Sequence, residues 1–136
     1  MSLEFKEREK EGILLLDLKG RLQLGDEDFQ FRQRINSLKE RGHAKIVVNL
    51  EHVGVIDNTG LSTLRLFSRE FQSRGGKLAL VSPSVRHLEP SVVLAIETEF
   101  EIFDDEQEAI NSFFPDRASR RIDLIEAIRE LQSARS

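Results

Sequence analysis

Three short runs of aliphatic residues, at positions 13–18, 46–50 and 78–81, are separated by stretches with a helical repeat, and this alternation constrains the fold most. Runs this short and this rich in Leu, Ile and Val read as strands buried on both faces. Between the first and second, Phe29, Phe31, Ile35 and Leu38 recur near a 3.6-residue period, with Gly42 as a stop signal. Between the second and third, Leu61, Leu64, Leu66, Phe67 and Phe71 do the same and end at Gly75 and Gly76. Parallel strands need crossover connections, so strand–helix–strand order predicts an α/β chain with a mostly parallel sheet. Leu3 to Lys6 alternates apolar and charged, and Lys10, Glu11 and Gly12 make a turn. An initial antiparallel hairpin follows, its second strand ended by Gly20 and followed by a polar loop over 23–28.

Downstream, Ser82, Pro83 and Ser84 are expected to start a helix that buries Val85, Leu88, Val92 and Ile96. Residues 100–103 read as a short edge strand and 106–114 as a helix. Pro115 disfavours helix for the residue before it and marks a boundary between a domain over 1–114 and an extension over 115–136. The extension carries Ile122, Leu124, Ile125, Ile128 and Leu131 at helical spacing, an amphipathic helix. Its apolar stripe either packs on its own domain or makes a homodimer or partner contact.

Composition excludes several chemistries. With no cysteine, thiol catalysis, disulfides and thiolate metal sites drop out. His43, His52 and His87 are scattered, His52 in a loop before the strand that starts at Val53, and no metal is expected. A formal net charge of −4 argues against nucleic acid as a partner, and the absence of Trp and Tyr removes the usual stacking residues. The first residues are too charged for a signal peptide and no run is long enough for a membrane span, so a cytoplasmic location is expected.

The most informative segment is Val53, Gly54, Val55, Ile56, Asp57, Asn58, Thr59, Gly60, Leu61, Ser62. A buried strand ends at a polar turn and a helix begins at once. Asp57, Asn58 or Thr59 would cap that helix, and Gly60 allows close backbone passage. A hydroxyl here suits phosphorylation, because a phosphate at a helix N-terminus meets free N–H groups and a favourable dipole.

This segment resembles the signature of STAS domains, and within them the anti-sigma factor antagonists of bacteria: a strand, then Asp-Ser-Ser/Thr-Gly-Leu/Ile-Gly, then a helix. The resemblance extends along the chain through Gly20-Arg21-Leu22, residues 45–50, residues 75–81 and Phe103 to Ala109, covering roughly 5–114. It implies the STAS fold, with a mostly parallel central sheet, an initial hairpin and helices mainly on one side. It also implies a non-enzymatic function. Such proteins bind an anti-sigma factor, often a GHKL-type serine/threonine kinase, and so regulate sigma-factor-dependent transcription. The docking residues carried over are Gln23, Asp57, Asn58, Thr59, Gly60, Leu61, Ser62 and Arg65, with no cofactor. Two positions depart from the pattern. Asn58 occupies the usual phosphoacceptor position, leaving Thr59 and Ser62 as the candidate acceptors, and Gln23 stands where Asp is frequent. The alternative is an interaction or scaffold module of another bacterial complex, such as a lipid-transport ABC system, with no phosphorylation.

An enzyme lacks support in the motifs, since phosphate-binding glycine loops and nucleophile elbows are absent. The acidic run of Glu97, Glu99, Glu101, Asp104, Asp105, Glu106 and Glu108 reads as a solvated edge and the start of a helix, with Glu99 and Glu101 sharing a strand face and repelling.

Overall fold

The computed structural model describes residues 3–82, 88–117, 128–129 and 131–132. Strands β1 (Glu4–Lys10) and β2 (Ile13–Leu22) form the antiparallel hairpin, in register from Glu4 opposite Lys19 to Lys10 opposite Ile13. Its turn residues Glu11 and Gly12 both have positive φ, 55° and 79°, as a tight hairpin of right-handed twist requires. Helix α1 (Asp26–Glu40), strand β3 (Lys45–Ile56), helix α2 (Asn58–Ser73) and strand β4 (Lys77–Val81) follow. Helix α3 (Pro90–Glu99), strand β5 (Ile102–Phe103) and helix α4 (Glu106–Asn111) complete the fold. The sheet order is β1-β2-β3-β4-β5, and every pairing after the first is parallel. The exposed edge, β1, reads Glu-Phe-Lys-Glu-Arg-Glu-Lys. That density of charge discourages edge-to-edge pairing with another chain.

Both sheet faces are covered, unequally. Leu14, Leu16, Leu18, Ile46, Val48 and Leu50 pack under the three long helices, against Phe31, Ile35, Leu64, Phe67, Phe71 and Ile96. Phe31 and Phe67 meet edge-to-face at 6.0 Å between centroids. On the reverse face Ile13, Leu15, Val47, Ala79 and Val81 are covered by Ala109 and Ile110 of α4. The strands are therefore apolar on both sides at their N-terminal halves, which produces the continuous runs in the sequence. Further along β2 and β3 the reverse-face positions become Asp17, Lys19, Arg21 and Asn49. Arg8 donates to Asp17 at 2.8 Å and pairs with Glu106, joining hairpin to α4.

Several boundaries differ from expectation. Gly20 does not end β2; it sits at φ 124° where the β2–β3 register shifts, and pairing resumes from Gly20 opposite Val53 to Leu22 opposite Ile56. The glycine makes a bulge in place of a stop. Consequently β3 is one strand to Ile56, and His52 lies within it, opposite Lys19, not in a loop. Helix α1 starts at Asp26, so Asp26, Glu27 and Asp28 form its first turn instead of a polar loop; carboxylates at that end suit the helix dipole. Helix α3 begins at Pro90, where the missing N–H is harmless, and α4 ends at Asn111, short of Phe114. The expected helix start over 83–87, with Val85 and His87, lies outside the described residues. So does most of the expected C-terminal helix; within it the described Ile128 and Leu131 are exposed at 47% and 64%.

The acidic run is also resolved differently. Glu99 closes α3 and Glu101 follows it, and the two do not confront each other: Glu99 pairs with Arg65 at 2.7 Å and Glu101 with Lys77 at 3.0 Å.

Candidate functional site

Leu22 opposite Ile56 is the last pair of β2 and β3, so both strands end together and their exit loops lie side by side. The backbone records this: the Asp57 N–H donates to the Leu22 carbonyl at 3.2 Å. Asp57 is the N-cap of α2, its Oδ1 accepting the Gly60 N–H at 2.8 Å. Its other oxygen, Oδ2, accepts the Leu24 N–H at 2.9 Å. One carboxylate thus satisfies a free helix donor and also fixes the neighbouring loop. Gly60 is required because a Cβ there would lie 2.4 Å from the Leu22 carbonyl oxygen.

Beyond Leu24 the chain turns at Gly25, whose φ of 112° is a glycine conformation, and α1 begins. A polar triad, buried at Thr63 and Asp28 and half-exposed at Arg32, locks α1 onto α2. The Thr63 hydroxyl donates to Asp28 Oδ1 at 2.5 Å, and Arg32 donates to Asp28 Oδ2 at 2.8 Å and to the Thr63 hydroxyl at 3.0 Å. Thr63 is fully buried and Asp28 nearly so, and each finds its partners, as buried polar groups must. On the far flank the Arg65–Glu99 ion pair ties α2 to α3. A pocket of about 310 Å³ opens between the end of β3 (Val55, Asp57, Asn58) and the start of α3 (Glu89, Val92).

The carried-over residues separate by exposure. Asn58 and Ser62 face solvent, Gln23, Thr59 and Arg65 are half-buried, and Gly60 and Leu61 are buried. Leu61, at 5% exposure, belongs to the core and shapes the turn from beneath. The cap is Asp57, and the Thr59 hydroxyl has no hydrogen-bond partner among the described residues. The Gln23 amide donates to Glu27 at 3.4 Å. His43 and His52 lie outside this turn, and among the described residues no group of histidines and carboxylates could hold a metal ion. Displaced titrations also lie elsewhere: hydrogen bonds from Arg41 and Arg34 hold the Glu7 carboxyl below its ordinary value.

Sequence reasoning missed two parts of this surface. Leu24 falls in the expected polar loop and Phe29 in the expected helical repeat, yet they are exposed at 71% and 59%. The signal lay in their spacing about Gly25, which places them just before the helix cap and in its first full turn, positions that commonly form a hydrophobic pair. The Asp28–Thr63–Arg32 triad had no local signature, because its halves are 35 residues apart.

The strand order, the initial hairpin and the capped strand–turn–helix make this chain an α/β module in which one carboxylate holds two neighbouring exit loops together. The family model for the STAS domain matches residues 4–109, and the chain belongs to that family. Among solved structures, a putative anti-sigma factor antagonist from Thermotoga maritima superposes with a TM-score of 0.70 at 21% identity, over 80% of this chain and 93% of that one. An anti-sigma factor antagonist from Mycobacterium paratuberculosis gives 0.64 at 14% identity, over 82% and 93%. The phosphorylated form of the Bacillus cell fate determinant SpoIIAA gives 0.60 at 21%, over 80% and 98%. These likenesses show the fold. No curated protein matches the sequence significantly. No described helix is long and apolar enough to cross a membrane.

Proposed function

We propose that this protein is an anti-sigma factor antagonist: a cytoplasmic, non-enzymatic module that binds an anti-sigma factor of the GHKL serine/threonine kinase type and thereby regulates sigma-factor-dependent transcription. The observation that carries the reading is the Asp57 clamp, which holds the signature turn and the Leu24 loop as one rigid surface. Around it Gln23, Asn58, Thr59, Ser62 and Arg65 supply the exposed or half-exposed groups that a partner meets. Gly60 and Leu61 act from beneath. Residues 115–136 form an extension to the 1–114 domain.

Asn58 favours one variation. An amide at the first helical position cannot accept a phosphate, yet it keeps a small polar shape close to that of serine. The protein therefore binds its partner without needing a phosphatase, unless Thr59 or Ser62 takes the phosphate. The same residue supports the second reading, an unphosphorylated scaffold module of another complex, such as a lipid-transport ABC system.

The test is pull-down from native lysate followed by binding of the purified partner. Recovery of an anti-sigma factor or GHKL-type kinase supports the first reading, and recovery of an ABC ATPase the second. Intact-mass spectrometry after incubation with that kinase then decides regulation. An added phosphate that disappears in Thr59→Ala or Ser62→Ala overturns constitutive binding.

A further inference from the structure

We propose that Leu24, Phe29 and Leu66 form the apolar anchor of an interface whose occupant is a basic, amphipathic segment of a protein partner; this rests on the docking surface proposed above and gives that partner its chemistry. These side chains are exposed at 71%, 59% and 42%. Leu24 precedes the Gly25 cap and Phe29 follows it by one turn, an arrangement in which the two side chains ordinarily cover each other. Here both stay open to solvent. They are nonetheless held in place: the Leu24 N–H is bound by Asp57, and the Phe29 N–H by the Gly25 carbonyl at 3.1 Å. A backbone already fixed spares the cost of ordering a loop when a partner covers these side chains.

Leu66 joins the pair through the helix packing. Asp28 with Thr63, and Lys39 with Glu70, mark the seam between α1 and α2. A step of about 100° per residue sets Phe29 and Leu66 on the outer side of that seam, flanking it from the two helices. Leu61, Phe67 and Phe31 turn inward. The exposed apolar groups thus border the signature turn on the side facing α1.

Charge selects the occupant. Around this surface the carboxylates are paired, Asp28 with Arg32, Glu70 with Lys39 and Glu99 with Arg65. Asp26 and Glu27 take part in none of the ion pairs among the described residues. Glu27 is only 7% exposed, and its side-chain partner is the neutral Gln23 amide at 3.4 Å. Asp26 is exposed and is the group that a partner's cation can reach. Asp26 and Glu27 lie between Leu24 and Phe29 in sequence, Asp26 exposed, so a segment with a Leu-like anchor and an adjacent Lys or Arg matches both features. A second copy docked by the same surface would set these carboxylates against each other, and an anionic membrane would be repelled in the same way.

The test is NMR titration of the full chain with two synthetic amphipathic helices of equal length, one Leu/Lys and one Leu/Glu. The expected result is saturable shifts of Leu24, Asp26, Glu27, Phe29 and Leu66 with the basic peptide alone, weakened by salt. Binding should fall about tenfold or more in Leu24→Ala/Phe29→Ala and in Asp26→Lys. Both variants alter exposed side chains, and their circular dichroism should match the parent. Asp26→Lys puts a cation at the start of α1 and should melt slightly lower, so Asp26→Asn, which removes the charge without reversing it, serves beside it and should also weaken binding. Equal binding of the two peptides, shifts elsewhere, self-association through these residues, or binding to anionic vesicles overturns the inference. If the pulled-down partner binds the double variant as well as the parent, the inference fails while the proposed function stands. If no anti-sigma factor binds the parent but the basic peptide does, the proposed function fails and the surface chemistry remains.

Discussion

The Asp57 carboxylate reaches across two loops to Leu24: Oδ2 accepts the Leu24 N–H at 2.9 Å while Oδ1 caps α2 at the Gly60 N–H, 2.8 Å away. The family's signature acid is thereby a structural clamp as well as a cap. Loss of both bonds in Asp57→Ala should lower unfolding free energy by about 1–2 kcal/mol, the usual range for a cap. Asp57→Asn keeps an acceptor for Gly60 but turns a donor toward Leu24. It should therefore retain most of the stability and still lose partner affinity. Urea denaturation and titration of the partner on the same samples separate the two effects.

Gly60 is the steric counterpart of that clamp. A methyl group at this position meets the Leu22 carbonyl oxygen at 2.4 Å and Leu22 Cγ at 3.0 Å. Since the carbonyl is backbone in the last β2–β3 pair, it yields only if the strand end moves. Gly60→Ala should destabilise by about 1–3 kcal/mol, the range for overpacking. Gly54→Ala, where an added Cβ meets nothing within 4 Å, should not. A thermal melt of the two variants beside the parent checks the contrast.

Much of this was legible in the chain. The runs around Leu15, Val48 and Leu80 gave the strands because α4 and the three long helices bury both faces there, leaving no alternation to obscure the run. The turn from Asp57 to Gly60 was visible because capping and close passage leave local residue choices. What stayed hidden depends on pairing between distant segments. Gly20 has the same local meaning as a stop or a bulge, and only the continued register with Val53 makes it a bulge. His52 looked like a loop residue for the same reason. Phe29 fits the helical repeat of Phe31, Ile35 and Leu38, but the seam with α2 turns it outward, and periodicity alone does not reveal which flank of a stripe remains uncovered.

The polar triad supplies a third expectation. Thr63 is fully buried and serves Asp28 as a donor and Arg32 as an acceptor. Thr63→Val preserves shape but deprives both partners, and leaving a buried carboxylate oxygen unmatched costs about 1–3 kcal/mol. Thr63→Ser retains the hydroxyl and should recover most of that loss. Amide exchange should quicken in the first turn of α1 in the valine variant, because this network fastens that turn to α2.

Acid should weaken the tie between the hairpin and α1 through Glu7. Its carboxylate accepts from Arg34 at 2.6 Å and from Arg41 at 2.9 Å, joining β1 to the middle of α1 and to the residue that caps its C-terminus. Those hydrogen bonds, Arg41 foremost, hold the folded carboxyl below its ordinary value of 4.5. A group depressed on folding contributes stability that is fully present above its unfolded value and is lost as pH falls through the folded one. The parent should therefore keep this contribution at neutral pH and lose it progressively below about pH 4.5. Glu7→Gln removes the titration, so its stability should lie below the parent at pH 7 and draw level in strong acid. Urea midpoints of the two proteins from pH 7 down to pH 3 test this; a gap that stays constant across that range removes Glu7 as the cause.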